Sequence, residues 1–312
     1  ADFPTHAISG DQVLTSYLKK SASGIYTYDV FLSLQKLSGE KVKEDFILNT
    51  DGFKAEHGFV SIVAKDDEGF LITWLDGRNT VEKDDDGNHK PMTVRFAEIT
   101  NAGDIINEVE LDASVCDCCQ TSITNTDKGP LVVYRDRTKE EVRDIYVTRN
   151  IDDKWETPAS VHNDGWVIYG CPVNGPKVVS SANNVAVGWF TVYEGKPRVN
   201  ISFSKSYGSS FDAPIQINDH NAIGRVDVVY LNDKEVLVSY MEGDDFDTYL
   251  RLKKVSMDGK VSEPITISKI DSGRNTGVPQ LEILNDEVFI VWTVFEDENN
   301  QLKTVKLSSK NI

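Results

Sequence analysis

The sequence has almost no helical periodicity. Across 312 residues, apolar positions rarely recur at the three-and-four spacing that an amphipathic helix requires. It also has no run of eighteen apolar residues, which excludes a transmembrane helix. Positive charge is scarce: 33 Lys and Arg stand against 50 Asp and Glu, giving a formal net charge of −17. That balance excludes nucleic acid as a partner, because a phosphate backbone requires a basic surface, and it argues against docking on an anionic membrane. Cysteine is sparse, with four residues at Cys116, Cys118, Cys119 and Cys171. An even count suits an oxidising compartment. The chain begins at Ala1, without a methionine, as expected of a trimmed, extracytoplasmic product.

What is present is strand. Hydrophobic residues at 39% and charged residues at 27% suffice for a packed core, and an all-β chain of this length commonly forms one domain. Short runs of β-branched and aromatic residues alternate with Gly, Asn and Asp turns. Several runs end on an aromatic: Val13–Tyr17, Phe70–Trp74, Leu131–Tyr134, Val185–Trp189, Val236–Tyr240 and Val288–Trp292. The interval is roughly 50 residues, the length of a four-stranded propeller blade. The expected fold is therefore all-β, a six-bladed β-propeller in a single domain over 1–312. Its blades fall at about 1–53, 54–113, 114–166, 167–221, 222–273 and 274–312. The sixth blade lacks a fourth strand in the sequence, so its closure is left open. A monomer is expected.

The turn Ser204-Lys205-Ser206-Tyr207-Gly208-Ser209-Ser210-Phe211 is similar to the Asp-box of sialidases and related propellers, with Ser206 in place of Asp and Phe211 in place of Trp. A weaker copy runs from Thr148 to Trp155. With Glu56-His57-Gly58-Phe59, Trp74-Leu75-Asp76-Gly77-Arg78, Cys116-Asp117-Cys118-Cys119, Gly170-Cys171-Pro172-Val173-Asn174-Gly175-Pro176 and Gly224-Arg225-Val226-Asp227, the chain resembles bacterial extracytoplasmic propellers labelled exo-α-sialidase-like. The resemblance spans nearly the whole chain. It implies a carbohydrate-active or sugar-binding protein whose site lies at the mouth of the central channel. Fold alone does not carry activity.

A sialidase clamps its substrate carboxylate with three arginines, because a guanidinium offers permanent bidentate donors. The family's first-blade Phe-Arg-Ile-Pro motif has no arginine in its counterpart here, Asp2-Phe3-Pro4-Thr5. Arginines at other strand ends, namely Arg78, Arg135, Arg137, Arg225 and Arg274, are the expected ligand-binding set for an anionic carbohydrate or other small anion. The opposing reading is that Asp76–Arg78, Asp136–Arg137 and Arg225–Asp227 are structural ion pairs. Glu56, His57 and Asp76 are the catalytic candidates, with Tyr169 a further acid/base or nucleophile candidate by its loop position.

The cysteines are what a sialidase does not need. In extended chain Cys116 and Cys118 point one way and Cys119 the other. Three readings stay open: a disulfide from the triplet to Cys171, a Cu or Zn site on the four cysteines with His57 as a further donor, and a redox-active thiol. The acidic run Glu82–Asp86 is a candidate for structural calcium. A scaffold that binds another protein is the third functional class.

Overall fold

The computed structural model describes residues 4–66, 68–244, 246–273, 276–296 and 299–312. The fold is all-β: six antiparallel sheets follow one another along the chain at 5–47, 57–115, 122–160, 177–216, 221–269 and 280–308. Each is a meander whose strands pair in chain order, the blade pattern of a six-bladed β-propeller. Sheets one, two, four and five have four strands. In the third, two-residue strands Lys154–Trp155 and Ala159–Ser160 both pair with Ile145–Ile151. The sixth sheet has three strands among the described residues.

The periodic aromatics mark the second strand of each sheet. Trp74, Tyr134, Trp189, Tyr240 and Trp292 are all buried; in sheets two to five both faces of the second strand are covered, and Phe70–Asp76 is buried at every position. Removing one such ring from water contributes on the order of 4–6 kcal/mol as an upper bound. The first of the six, Tyr17, is half-buried and donates its hydroxyl to Asp45.

The chain divides into two compact units. The first holds residues 1–160 and 167–173, and so sheets one to three. Leu14, Val30 and Leu32 of sheet one pack with Ile72 and Trp74 of sheet two, while Leu75 and Val94 of sheet two pack with Ile123 and Tyr134 of sheet three. The second holds 161–166 and 174–312. There Leu237 and Met241 of sheet five pack with Ile290 and Trp292 of sheet six.

Both box-like turns close hairpins. Ser204 Oγ accepts from the backbone N–H groups of Ser206 and Gly208 at 3.2 and 3.0 Å. In the other, Asp152 and Asp153 take left-handed φ of 50° and 59°, and Trp155 lies edge-on to Phe96 of sheet two with centroids 4.8 Å apart. The aromatic thus packs between sheets, as its motif implies.

Candidate functional site

The first unit gathers its chemistry where sheets two and three begin. The opening strand of sheet two, His57–Ala64, carries a bulge between Gly58 and Ser61, and Phe59 there takes a φ of 52°. A non-glycine residue in that region is held against an intrinsic cost of order 1–3 kcal/mol, so the surroundings must over-determine it. They do: Phe59 O accepts from the Thr121 hydroxyl at 2.7 Å, and the Phe59 ring packs on the cysteines. The bulge ties sheet two to the chain immediately after Cys119.

The cysteine segment is positioned from its other end. The last strand of sheet two, Ile105–Val115, runs on beside the second strand of sheet three, Gly129–Arg135. Val115 bridges Asp136, Cys116 N–H donates to Arg135 O at 2.9 Å, and Ser114 Oγ donates to Arg137 O at 2.6 Å. Residues 117 and 118 then form a turn rather than a strand. The extended-chain expectation fails here: the turn brings Cys119 back to the same side as Cys116, with 3.1 Å between the sulfurs. Cys118 is bonded to Cys171. Cys116 lies 4.0 Å from Cys118 Sγ. Cys116 and Cys119 are buried and Cys171 is exposed.

A layer of charge surrounds the sulfurs. Arg143, almost fully buried, directs Nη1 at Cys116 Sγ from 3.3 Å and both Nε and Nη2 at Glu141. Arg135 donates to Arg143 O. The Cys116 thiol is held down at about 6: the Cys119 hydrogen bond contributes most, burial opposes it, and the Cys118 N–H, Arg135 and Arg143 add to the lowering. Glu141 joins two arginines, since Arg137 also reaches it at 2.8 Å, while Arg137 Nη1 holds Asp117 at 2.7 Å. Glu56, half-buried, feels the charge of Asp117. Burial, and then the Asp117 charge, push its carboxyl up to about 7. Glu56 is fixed by its own backbone, whose O accepts from Gly77 N–H at 2.8 Å. Asp136 is also raised to about 7, by burial and by repulsion from Asp112 and Asp144.

His57 and Asp76 belong to a separate, closed network. The His57 ring is fully buried, with Nδ1 donating to Tyr28 O at 2.9 Å and Nε2 3.1 Å from Asp51 and 3.6 Å from Asp76. Arg78 binds Asp76 bidentately at 2.8 Å and reaches Asp51 and Glu108 as well. Burial raises the Asp76 carboxyl, but Arg78 and His57 outweigh it and leave it below its ordinary value. The close metal-type groupings among the described residues are Asp51–His57–Asp76 and Cys116–Cys118–Cys119, so His57 converges with carboxylates. A guanidinium already neutralises the first group. In the second, the bridge commits Cys118, leaving two thiol donors for copper or zinc, short of the four that a structural zinc site uses.

The remaining expectations fall as follows. Arg137 pairs with Asp117 and Glu141, not with Asp136. Arg225, in the second unit, is buried on a bulge at φ 55°, its N–H donating to Asn174 Oδ1 at 2.8 Å. Asp227 there pairs with Lys177 at 3.0 Å. Arg274 lies outside the described residues. Tyr169 is 85% exposed. In the acidic run, Asp84 caps its own turn by accepting from Asp86 and Asn88 N–H. A cavity of about 820 Å³ lies in the second unit among Lys205, Asp233, Lys234, Lys254 and Lys260 and includes none of the expected site residues. Sequence reading missed Arg143, Glu141 and Asp51; the alternating charges of Arg137, Glu141 and Arg143 were the available signal.

No protein-family model matches this chain, and no curated protein does. Solved structures do. The chain is similar to a Hadza microbial sialidase (11% identity, TM-score 0.57) over 99% of its own length and 66% of the sialidase. It is similar to the endosialidase of phage phi92 (8%, TM-score 0.58) over 97% of its length and 66% of that protein. A Penicillium chrysogenum α-L-arabinanase, solved with arabinobiose, matches at 10% identity and TM-score 0.58, over 99% of this chain and 94% of the enzyme. The chain thus spans just under two thirds of the two sialidases. The fold is a sialidase-like β-propeller.

Proposed function

We propose that this protein is an extracytoplasmic propeller that binds and hydrolyses a glycan, with Glu56 as proton donor and Asp117 as the partner carboxylate. The observation that supports it is the pairing of a half-buried Glu56, poised to keep its proton near neutral pH, with an Asp117 that Arg137 holds at 2.7 Å. Most glycoside hydrolases need two carboxyl groups in unlike states, one a protonated acid and one an ionised base or nucleophile. Different surroundings supply the two states here. The sialidase and arabinanase likenesses add a fold that carbohydrate-processing proteins share, and the Cys118–Cys171 bridge suits an oxidising compartment.

An anionic glycan would be taken up by Arg137 in exchange for Asp117. A neutral one would leave that pair intact. The test is hydrolysis and calorimetric binding of sialosides and of arabino-oligosaccharides by the wild type and Glu56→Gln. The reading expects turnover of one class, lost at least 100-fold in Glu56→Gln with binding retained. Turnover that survives Glu56→Gln, or binding of neither class, would refute it.

A further inference from the structure

The turn at 116–119 places two cysteines in Cys-x-x-Cys spacing, 3.1 Å apart, and puts the first of them 4.0 Å from a sulfur of an existing disulfide. A purely structural cluster would be expected in apolar surroundings, where a buried thiol is inert. This one is different. The Arg143 guanidinium, itself almost fully buried, points at Cys116 Sγ from 3.3 Å, and such a charge is costly to bury unless it has partners to stabilise. Two non-glycine residues packed on the sulfurs, Phe59 and Val173, hold left-handed backbone at φ 52° and 49°. Strain of that kind collects at working sites. The four sulfurs also run from buried to exposed, since Cys116 and Cys119 are inside and Cys171 faces solvent.

We infer that Cys116, Cys119, Cys118 and Cys171 form a thiol–disulfide relay that passes two electrons from the buried Cys116–Cys119 pair, through the Cys118–Cys171 bridge, to a disulfide in solution. In the first step the Cys116 thiolate attacks Cys118 Sγ. A Cys116–Cys118 bond forms, the Cys118–Cys171 bond breaks, and its electron pair leaves with Cys171 as thiolate. In the second, Cys119 loses its proton to solvent and attacks Cys116 Sγ, displacing the Cys118 thiolate. The bridge has moved to Cys116–Cys119 with no oxidant consumed. In the third, the exposed Cys171 thiolate attacks an external disulfide and forms a mixed disulfide, releasing one thiolate. Cys118 then resolves it, expelling the second and restoring Cys118–Cys171. The sum is one external disulfide reduced to two thiols and the Cys116–Cys119 dithiol oxidised to a disulfide. Arg143 is a positioning residue, holding the attacking sulfur ionised beside the bridge. None of these steps depends on the glycan reading.

The test treats the full-length protein, purified without reductant or chelator, with iodoacetamide at pH 7.5, followed by unreduced digestion and mass mapping. The relay expects alkylation of Cys171 and Cys118 to accumulate together with an internal Cys116–Cys119 bridge, seen as two hydrogens lost from their shared peptide. In Cys116→Ser, Cys171 alkylation should fall at least tenfold. Arg143→Gln, which removes no sulfur, should slow it at least fivefold. Oxidised glutathione should be reduced once per chain by the wild type and not by Cys116→Ser. Cys171 alkylated equally fast in Cys116→Ser would overturn the relay. So would a wild type in which Cys171 stays unlabelled while Cys118–Cys171 remains the only bridge, and so would stoichiometric metal with all four cysteines refractory.

Discussion

Replacing Cys171 by Ser should destabilise the protein through the denatured chain more than through any lost contact. Cys171 is exposed, so the substitution itself removes little packing and would by surface precedent fall within about 0.5 kcal/mol. The bridge, however, closes a loop of 53 residues between Cα atoms 6.0 Å apart. Chain-entropy reasoning gives a loss of about 14 cal/mol/K for that separation, or about 4 kcal/mol at 25 °C. The Cys118 thiol left behind can pair with Cys116 or Cys119, but so short a loop recovers at most about 2 kcal/mol by the same relation. Between about 2 and 4 kcal/mol should therefore be lost. With an unfolding entropy of about 2.1 cal/mol/K per residue over 312 residues, that is a fall in Tm of about 3–6 °C if the chain melts as one. Far-UV circular dichroism melts without reductant read this directly, and wild type with reductant, which can form no substitute bridge, should show the larger fall. A fall below 1 °C in Cys171→Ser, or a wild type indifferent to reductant, would refute the cross-link argument.

Further outcomes follow from the charge layout. Glu56 and Asp136 both have folded-state values near 7, above their ordinary carboxylate values. The folded state therefore holds protons that the unfolded chain has released, and each contributes stability present below about pH 4 that declines as pH rises to 7. Unfolding free energies of Glu56→Gln and Asp136→Asn from urea titrations should gain on the wild type by about 1–3 kcal/mol across that window; a difference that does not change with pH would contradict the assignment. Gly77→Ala would set a Cβ 2.6 Å from Glu56 O. It should cost about 1–3 kcal/mol and reduce any glycan turnover that depends on Glu56; an unchanged melt would show that the approach is looser than drawn. In Arg143→Met, the Cys116 thiol should titrate higher, read as thiolate absorbance against pH, because a cation 3.3 Å away is gone. An unmoved titration would remove Arg143 from the account.

The propeller was legible in the sequence because burial on both faces imposes a repeating signature. Trp74, Tyr134, Trp189, Tyr240 and Trp292 recur at a buried position of the second strand in sheets two to six, so counting aromatics counts sheets. The convergence of the cysteines was legible for a related reason, since Cys171 precedes sheet four and the triplet precedes sheet three. What the sequence did not reveal was geometry inside the loop. Reading 116–119 as strand sent Cys119 to the wrong side, because a period of two holds only for extended chain; the turn makes the spacing Cys-x-x-Cys instead. Nor do residue types say whom an arginine serves. Arg78 and Arg137 were open to a ligand or to a structural pair: Arg78 does pair with Asp76, Arg137 pairs with Asp117 rather than Asp136, and the cation turned on the sulfur is Arg143.

That arrangement couples the two proposed sites through one carboxylate. Glu141 accepts from Arg137 at 2.8 Å and from Arg143 at 2.5 Å. Arg137 in turn holds Asp117, whose charge raises Glu56, and Arg143 holds Cys116. When Cys116 is ionised, Arg143 divides its donors between sulfur and Glu141. When Cys116 is tied into a disulfide, the sulfur loses its charge and Arg143 binds Glu141 alone. Glu141 is then a poorer acceptor for Arg137, and Arg137 binds Asp117 more strongly. A better neutralised Asp117 repels Glu56 less, so its carboxyl should titrate lower in the oxidised protein than in the reduced one. A downward shift of up to about one pH unit in the alkaline limb of any glycan turnover, in protein with the Cys116–Cys119 bridge relative to protein without it, is the expected sign and size. Superimposable pH profiles in the two states would show that Glu141 does not transmit the charge.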